Sequence, residues 1–264
     1  MNNIESKMLE ILKELKYEHD VLAIKAEFEA EGSRTDELVK LNEIVFRADM
    51  NLFIKIGGCE AVRDLDQCRL LGAKGIMAPM IETPFAMKKF VGAAKKVYED
   101  EISSIEWVIN AETKTCKENF DDILEEGKGF LNTISIGRVD LSGSMGLTRD
   151  EINGDKVLEV SKYFAQKAKA AGLIAGFGGG ISFDAIDFIK QMKGLVQKFE
   201  TRKVIFKYND NTEKLKAGIL KAMEFEVLYL QNKCEFYDRM ANEDKARMKM
   251  LLERFEVAKA KFGV

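Results

Sequence analysis

The 264-residue chain has no CxxC pair; its four cysteines, Cys59, Cys68, Cys116 and Cys234, are scattered. That argues against a disulfide framework and a cysteine zinc site, and leaves the thiols reduced and buried. No run approaches the ~18 apolar residues of a membrane span, and "MNNIESKMLEILKELK" reads as a short amphipathic helix. A cytoplasmic protein without a membrane partner is expected. A basic excess is missing too: the net charge is −3, so nucleic acid is not an expected partner. No low-complexity linker or strong internal repeat marks a domain boundary. The single histidine is His19.

What is present is enough apolar sequence, 46% of residues, for a large core. The length suits one (β/α) barrel of about 250 residues as well as two smaller domains. Short apolar runs alternate with helical patterns, the signature of βα units around a parallel sheet. The runs are "VLAIKAEF" (21–28), "NLFIKI" (51–56), "AKGIMAPM" (73–80), "IEWVINAE" (105–112), "TISIGRVD" (133–140), "LIAGFGGG" (173–180) and "KVIFKY" (203–208). These are seven candidate strands, and no eighth is visible before residue 21. The expected fold is therefore a TIM (β/α)8-type barrel over 1–211, behind an N-terminal helix, with an atypical or missing first strand. From residue 212 the pattern is helical only, in two long segments, the second with an N-cap signal at Asn242. Residues 212–264 read as a C-terminal helical extension that supplies core or subunit contact, and a homo-oligomer is expected.

In such barrels chemistry sits on the loops at the C-terminal ends of the strands. The polar residues there are Glu27, Glu29 and Glu31 after the first run, Lys55 after the second, Glu82 after the third, Glu112 after the fourth and Asp140 after the fifth. Glu112 and Asp140 occupy equivalent places on consecutive strands, so their carboxylates should converge. Oxygen ligands of that kind suit Mg²⁺ or Mn²⁺. Asp is also an ordinary residue for a turn after a strand. The turn "AGFGGGISFDAIDF" ends the sixth run and opens a helix, which would expose backbone N–H groups of Gly178, Gly179 and Gly180 to a phosphate or carboxylate; a plain flexible turn is the other reading.

The ordered pair "WVINAETKTCKENFDDIL" and "ISIGRVDLSGSMG" resembles the HpcH/HpaI aldolase and citrate lyase β-subunit family. Its members carry I-E-T at one strand end and G-x-x-D-L-S-x-x-(M/L)-G at the next. Gly137, Asp140, Leu141, Ser142, Met145 and Gly146 match the second segment; Glu112 and Thr113 match the first, with Ala111 in place of isoleucine. With "LLGAKGIMAPMIETPFAMKKFVGAAK", the similarity covers roughly residues 21 to 208. The resemblance implies a metal-dependent lyase or aldolase that makes or breaks a carbon–carbon bond through a metal-bound enolate of a pyruvate-like 2-oxo acid. Glu112 and Asp140 would hold the metal, and the Gly137, Arg138, Val139 loop would receive the substrate carboxylate. An aldehyde or an acyl-CoA would be the other half.

The departures from the family bear on catalysis. Lys55 stands where many members have an arginine on the substrate carbonyl, which keeps the charge and loses the two-pronged geometry; a lysine snorkelling from a strand end is the alternative. Where the aldolase branch has a histidine after the first strand, this chain has Phe28, and His19 precedes that strand. Glu29, Glu31 or metal-bound water would then have to act as acid and base, unless the Glu-rich loop is merely a solvated turn. Arg138 would hold an anionic substrate group or pair with a surface acid. Glu82 lies one βα unit too early to be the ligand and reads as a rim residue or helix-start charge beside Thr83 and Pro84. The alternative function is a barrel that keeps metal or ligand binding but has lost turnover, and serves as a binding or assembly protein.

Overall fold

The computed structural model describes residues 1–262. The elements run α1 (Asn3–Glu18), β1 (Val21–Glu27), α2 (Thr35–Arg47), β2 (Asn51–Lys55), α3 (Val62–Leu70), β3 (Gly75–Ala78), α4 (Pro84–Tyr98), β4 (Glu106–Ala111), α5 (Lys114–Glu118) and α6 (Phe120–Glu126). They continue with β5 (Thr133–Gly137), α7 (Arg138–Ser144), α8 (Asp155–Ala170), β6 (Ile174–Gly178), α9 (Ile186–Gln191), β7 (Lys198–Glu200), β8 (Val204–Lys207) and α10 (Thr212–Phe262). The eight strands close into a barrel in chain order.

This is the expected TIM-type barrel, with its irregularity at the other end of the chain. β1 is a regular strand, paired parallel to β2 from Ala23 to Glu27. The strand hidden in the sequence is β7, three residues of which two are charged. A three-residue turn, Thr201 to Lys203, separates β7 from β8, and a parallel crossover needs a dozen residues or more. β8 therefore runs antiparallel to β7 and closes the barrel antiparallel to β1. Glu226 of α10 fastens the turn: its Oε1 accepts from Thr201 Oγ1 at 2.7 Å and from the Lys203 N–H at 3.0 Å.

Inside the barrel, the inward positions of alternate strand residues form layers. Toward the strands' N-terminal ends, Lys198 and Thr133 both donate to Glu106 Oε1. Above them Ala23, Phe53, Met77, Val108 and Ile205 make an apolar plug. Gly75 leaves room for the Phe53 ring, which a Cβ there would overlap. Two residues further along the strands the lining turns polar again, with Lys25, Asn110 and Ser135, and there the mouth begins.

Beyond β8 the chain forms one continuous 51-residue helix in place of the two expected segments. Asn242 lies inside it without capping a helix, because no glycine or proline occurs between 219 and 262 to break the hydrogen-bond ladder. At 1.5 Å per residue the helix is about 77 Å long. Leu215, Ile219, Ala222, Phe225 and Tyr229 bury a helical stripe against the barrel. Beyond them Phe236, Met240, Met248, Leu251, Leu252 and Phe255 are exposed. No described helix is long and apolar enough to cross a membrane.

Candidate active site

The C-terminal ends of the strands surround a cavity of about 460 Å³. Glu112, the residue after β4, reaches into it with only 1% of its surface exposed. Its Oε1 accepts from the Met80 N–H at 2.9 Å, and its Oε2 accepts from Asn110 Nδ2 at 2.9 Å. Met80 aims its N–H from a left-handed conformation, φ 51°, a strained state of the kind that gathers at functional sites. Gly137 provides the space, since a Cβ there would overlap Glu112 Oε2. Burial is the largest influence on the Glu112 carboxyl and raises its pKa; Asp140 pushes the same way, and the opposing pull of Lys55, Met80 and Asn110 does not overcome them.

Asp140 lines the same cavity. It sits in the first turn of α7 and not at the end of a strand, because β5 stops at Gly137 and the chain coils at once into a helix. Lys55, the last residue of β2, donates to Glu29 Oε2 at 2.7 Å and stands 3.9 Å from Glu112 Oε2. Burial works against its ammonium charge, but Glu112, Glu29 and Glu27 outweigh it and raise the lysine above its ordinary pKa. Lys55 is thus a fixed cation and a poor nucleophile.

The remaining expected residues divide. Glu29, Gly137, Val139, Gly178, Gly179 and Gly180 line the cavity. Glu31 does not: it is tied to Lys203 and, at 3.0 Å, to Arg202. Arg138, expected to reach an anionic substrate group or a surface acid, does neither. Its guanidinium is fully buried, 4.3 Å from the Phe188 ring centre and 5.4 Å from that of Phe177. It donates to the carbonyls of Gly178 at 3.2 Å and Gly179 at 2.5 Å and to Asn153 Oδ1 at 2.7 Å. Burial lowers its pKa to about 9, which still leaves it charged at neutral pH. Arg138 is therefore the fastening behind the glycine wall. Gly179 and Gly180 need their glycines for conformation, with φ 82° and 63°. The glycines follow the sixth strand of eight, one place earlier than a missing first strand would put them. Thr83 caps α4 through the Ala86 N–H at 3.1 Å with Pro84 as its first residue, and Glu82 lies beside them, outside the cavity lining.

Several lining residues escaped the sequence reading: Lys25, Asn110, Ser135, Arg149, Glu200, Thr201, Arg202 and Glu226. Lys25, Asn110 and Ser135 carried a signal, since each precedes a strand-end position by two residues and so shares its inward face. Glu200 and Arg202 belong to the unrecognised hairpin, and Glu226 arrives from α10.

The donor set fits a divalent cation. Six carboxylates and four cationic side chains line the mouth, an excess of two negative charges. Asn110 Oδ1 is buried there with no hydrogen-bond partner. Each Glu112 oxygen keeps a second lone pair beyond the hydrogen bond it accepts. Glu112 and Asp140 would hold the ion, both as hard oxygen donors.

The raised pKa of Glu112 has a consequence for stability. The folded protein holds this proton more tightly than the unfolded chain, so stability falls as pH rises from the unfolded carboxyl value, about 4.5, through the raised folded one. The deficit is fully present above that range. Glu112→Gln removes it, and the new amide can still accept from Met80 and, once the Asn110 amide turns over, donate to Asn110 Oδ1. In EDTA at pH 7 the variant is expected to melt above the wild type, with the gap closing toward pH 4. A lower melting temperature at pH 7 would contradict the assigned environment.

Comparison with known proteins is consistent with this geometry. The HpcH/HpaI aldolase/citrate lyase family model matches residues 18–191. None of the curated proteins matches the chain. An HpcH/HpaI aldolase from Desulfitobacterium hafniense DCB-2 superposes with TM-score 0.62 and 16% identity, over 76% of this chain and 82% of its own. The citrate synthase SbnG gives 0.60 and 17%, over 86% and 90%. An HpcH/HpaI aldolase/citrate lyase family protein from Burkholderia cenocepacia J2315 gives 0.61 and 14%, over 84% and 90%. These likenesses show a shared barrel. The family match itself extends from just before β1 to the end of α9 and takes in both Glu112 and Asp140, and the chain belongs to the HpcH/HpaI aldolase/citrate lyase family of lyase and aldolase-type enzymes.

Proposed function

We propose that this protein is a divalent-metal-dependent carbon–carbon lyase or aldolase that works through the enolate of a pyruvate-like 2-oxo acid. The observation that carries the reading is the buried Glu112 carboxylate, held by Met80 and Asn110 and sharing its cavity with Asp140. A bound Mg²⁺ or Mn²⁺ would supply Lewis-acid polarisation of the substrate's keto group. The protein's own part is positioning and charge. Lys55, held by Glu29, presents one ammonium toward the keto oxygen and helps stabilise the negative charge that develops there. The Gly137 to Val139 turn and the Gly178 to Gly180 wall offer a close backbone approach for the substrate carboxylate. The other half of the substrate is an aldehyde or an acyl-CoA.

The reading predicts metal-dependent release of pyruvate from oxaloacetate or a 4-hydroxy-2-oxo acid. Protein stripped with EDTA should be inactive and should recover with Mg²⁺, Mn²⁺ or Co²⁺. Asp140→Asn should lower kcat/KM about 100-fold or more, roughly 2.7 kcal/mol of transition-state stabilisation. Lys55→Ala should lower turnover without raising the metal concentration needed for half-activity. Turnover that ignores EDTA, or that survives Asp140→Asn, would contradict it.

Two observations also support self-association: the distal half of α10 exposes a run of large apolar residues, and the helix extends well past the barrel it packs on. We infer a homo-oligomer whose interface includes residues between 213 and 262. Light scattering at micromolar concentration should give a multiple of 29.8 kDa, and a clean monomer would count against it.

A further inference from the structure

The mouth holds a second buried ion pair that metal binding and Lys55 leave unused. Lys25 on β1 and Glu200 on β7 are each 7% exposed, and Lys25 Nζ donates to Glu200 Oε1 at 2.7 Å. Glu27 Oε1 lies 3.8 Å from the same ammonium. All three line the cavity. Taking such charges out of water is costly even when they are paired, and apolar residues would close a barrel at this level with less penalty. A pair kept at the rim of a catalytic cavity is therefore a candidate for chemistry.

Two glycines place this pair beside Glu112. Gly137 of β5 and Gly178 of β6 are register partners. A Cβ on Gly137 would overlap Glu112 Oε2, and one on Gly178 would lie 2.6 Å from Glu200 Cγ and 3.0 Å from its Oε1. Neighbouring strands run about 4.8 Å apart. The two carboxylates thus rest on adjacent parts of one floor, close enough to address the same small substrate.

Cleaving a 4-hydroxy-2-oxo acid requires two proton transfers. The C4 hydroxyl gives up its proton as the C3–C4 bond breaks, leaving the aldehyde and an enolate that takes the bond's electron pair. That enolate must then be protonated at C3 to give the 2-oxo acid. His19 belongs to the other end of the barrel, before β1, and Glu31 lies outside the lining. Glu29 lines the cavity, but its partner Lys55 has as its other near carboxylate only Glu112, 3.9 Å away and the candidate metal ligand, so a proton on Glu29 would leave that ammonium without a free counter-charge. We propose that Glu200, positioned by Lys25, is the acid–base group of this site: it takes the hydroxyl proton and returns it to C3 of the enolate. Atoms and charge balance, with the carboxylate regenerated at the end. Lys25 keeps a carboxylate neighbour, Glu27, while Glu200 carries the proton, so neither protonation state strands the ammonium. The proposal rests on the enolate reading above.

The test is deuterium exchange into the methyl group of pyruvate, followed by proton NMR in D₂O with the Mg²⁺-loaded full chain. The wild type should exchange the methyl protons only with Mg²⁺ present. Glu200→Gln should slow exchange about 100-fold or more, the size expected for a lost general acid–base group. Affinities for Mg²⁺ and for oxalate, a planar stand-in for the enolate, should stay within about twofold, as a merely structural role would not allow. Glu200→Asp, which keeps the charge beside Lys25 and so protects folding, should lose at least about tenfold, because the carboxylate is withdrawn by one methylene. Wild-type exchange in either variant, or loss of exchange together with oxalate and Mg²⁺ binding, would overturn the proposal while sparing the enolate reading. Absence of Mg²⁺-dependent exchange in the wild type would overturn both.

Discussion

The arrangement of the mouth turns on one unfavourable placement, a carboxylate buried at the end of a barrel strand. Glu112 is almost wholly removed from water, and neither its two hydrogen bonds nor Lys55 restores the ordinary ease of ionisation. The surroundings make sense as responses to that charge. Met80 adopts a left-handed backbone to donate to it, Gly137 gives up a side chain to admit it, and Lys55 is fixed nearby as a cation. Adding Asp140 to the same cavity makes the metal-free site worse, since like charges then face each other. A divalent cation held between the two carboxylates would turn that mutual repulsion into attraction to a common charge.

The second constraint is how the barrel closes. The family match ends at residue 191, and the chain beyond that point is built differently from a βα unit. A short hairpin supplies the last two strands, and a single helix crosses to fasten its turn through Glu226. That hairpin brings Glu200, Thr201 and Arg202 into the mouth beside groups from β1, β4 and α7. The part of the barrel that matches the family holds the candidate metal ligands, and the chain beyond residue 191 furnishes another wall of the same cavity.

Most of the barrel was legible because seven strands bury continuous apolar runs, and a run bounded by helical periodicity reveals itself without any tertiary knowledge. β7 was not, because its inward residues are charged and are matched by Lys25 and Glu106 on strands remote in sequence. Only the closed barrel supplies those partners. That Glu112 and Asp140 face one cavity was readable from their spacing on consecutive units, although the short helix that carries Asp140 was not. Arg138 was misread for a related reason. Its counterparts are glycine carbonyls and two aromatic faces in place of an acid, and sequence gives no hint of such a setting. The continuity of α10 shows the weakness of an isolated cap signal: Asn242 favours a helix start, but nothing before it ends the helix already under way.

On the proposed function, Glu112 and Asp140 together hold a divalent cation. Calorimetric titration of Mn²⁺ into the apo protein with oxalate present tests it directly, with Glu112→Gln and Asp140→Asn alongside. The account predicts one tight site in the wild type and affinity lowered at least about tenfold in each variant, with both variants folded. Mn²⁺ bound as tightly by Glu112→Gln as by the wild type would contradict it.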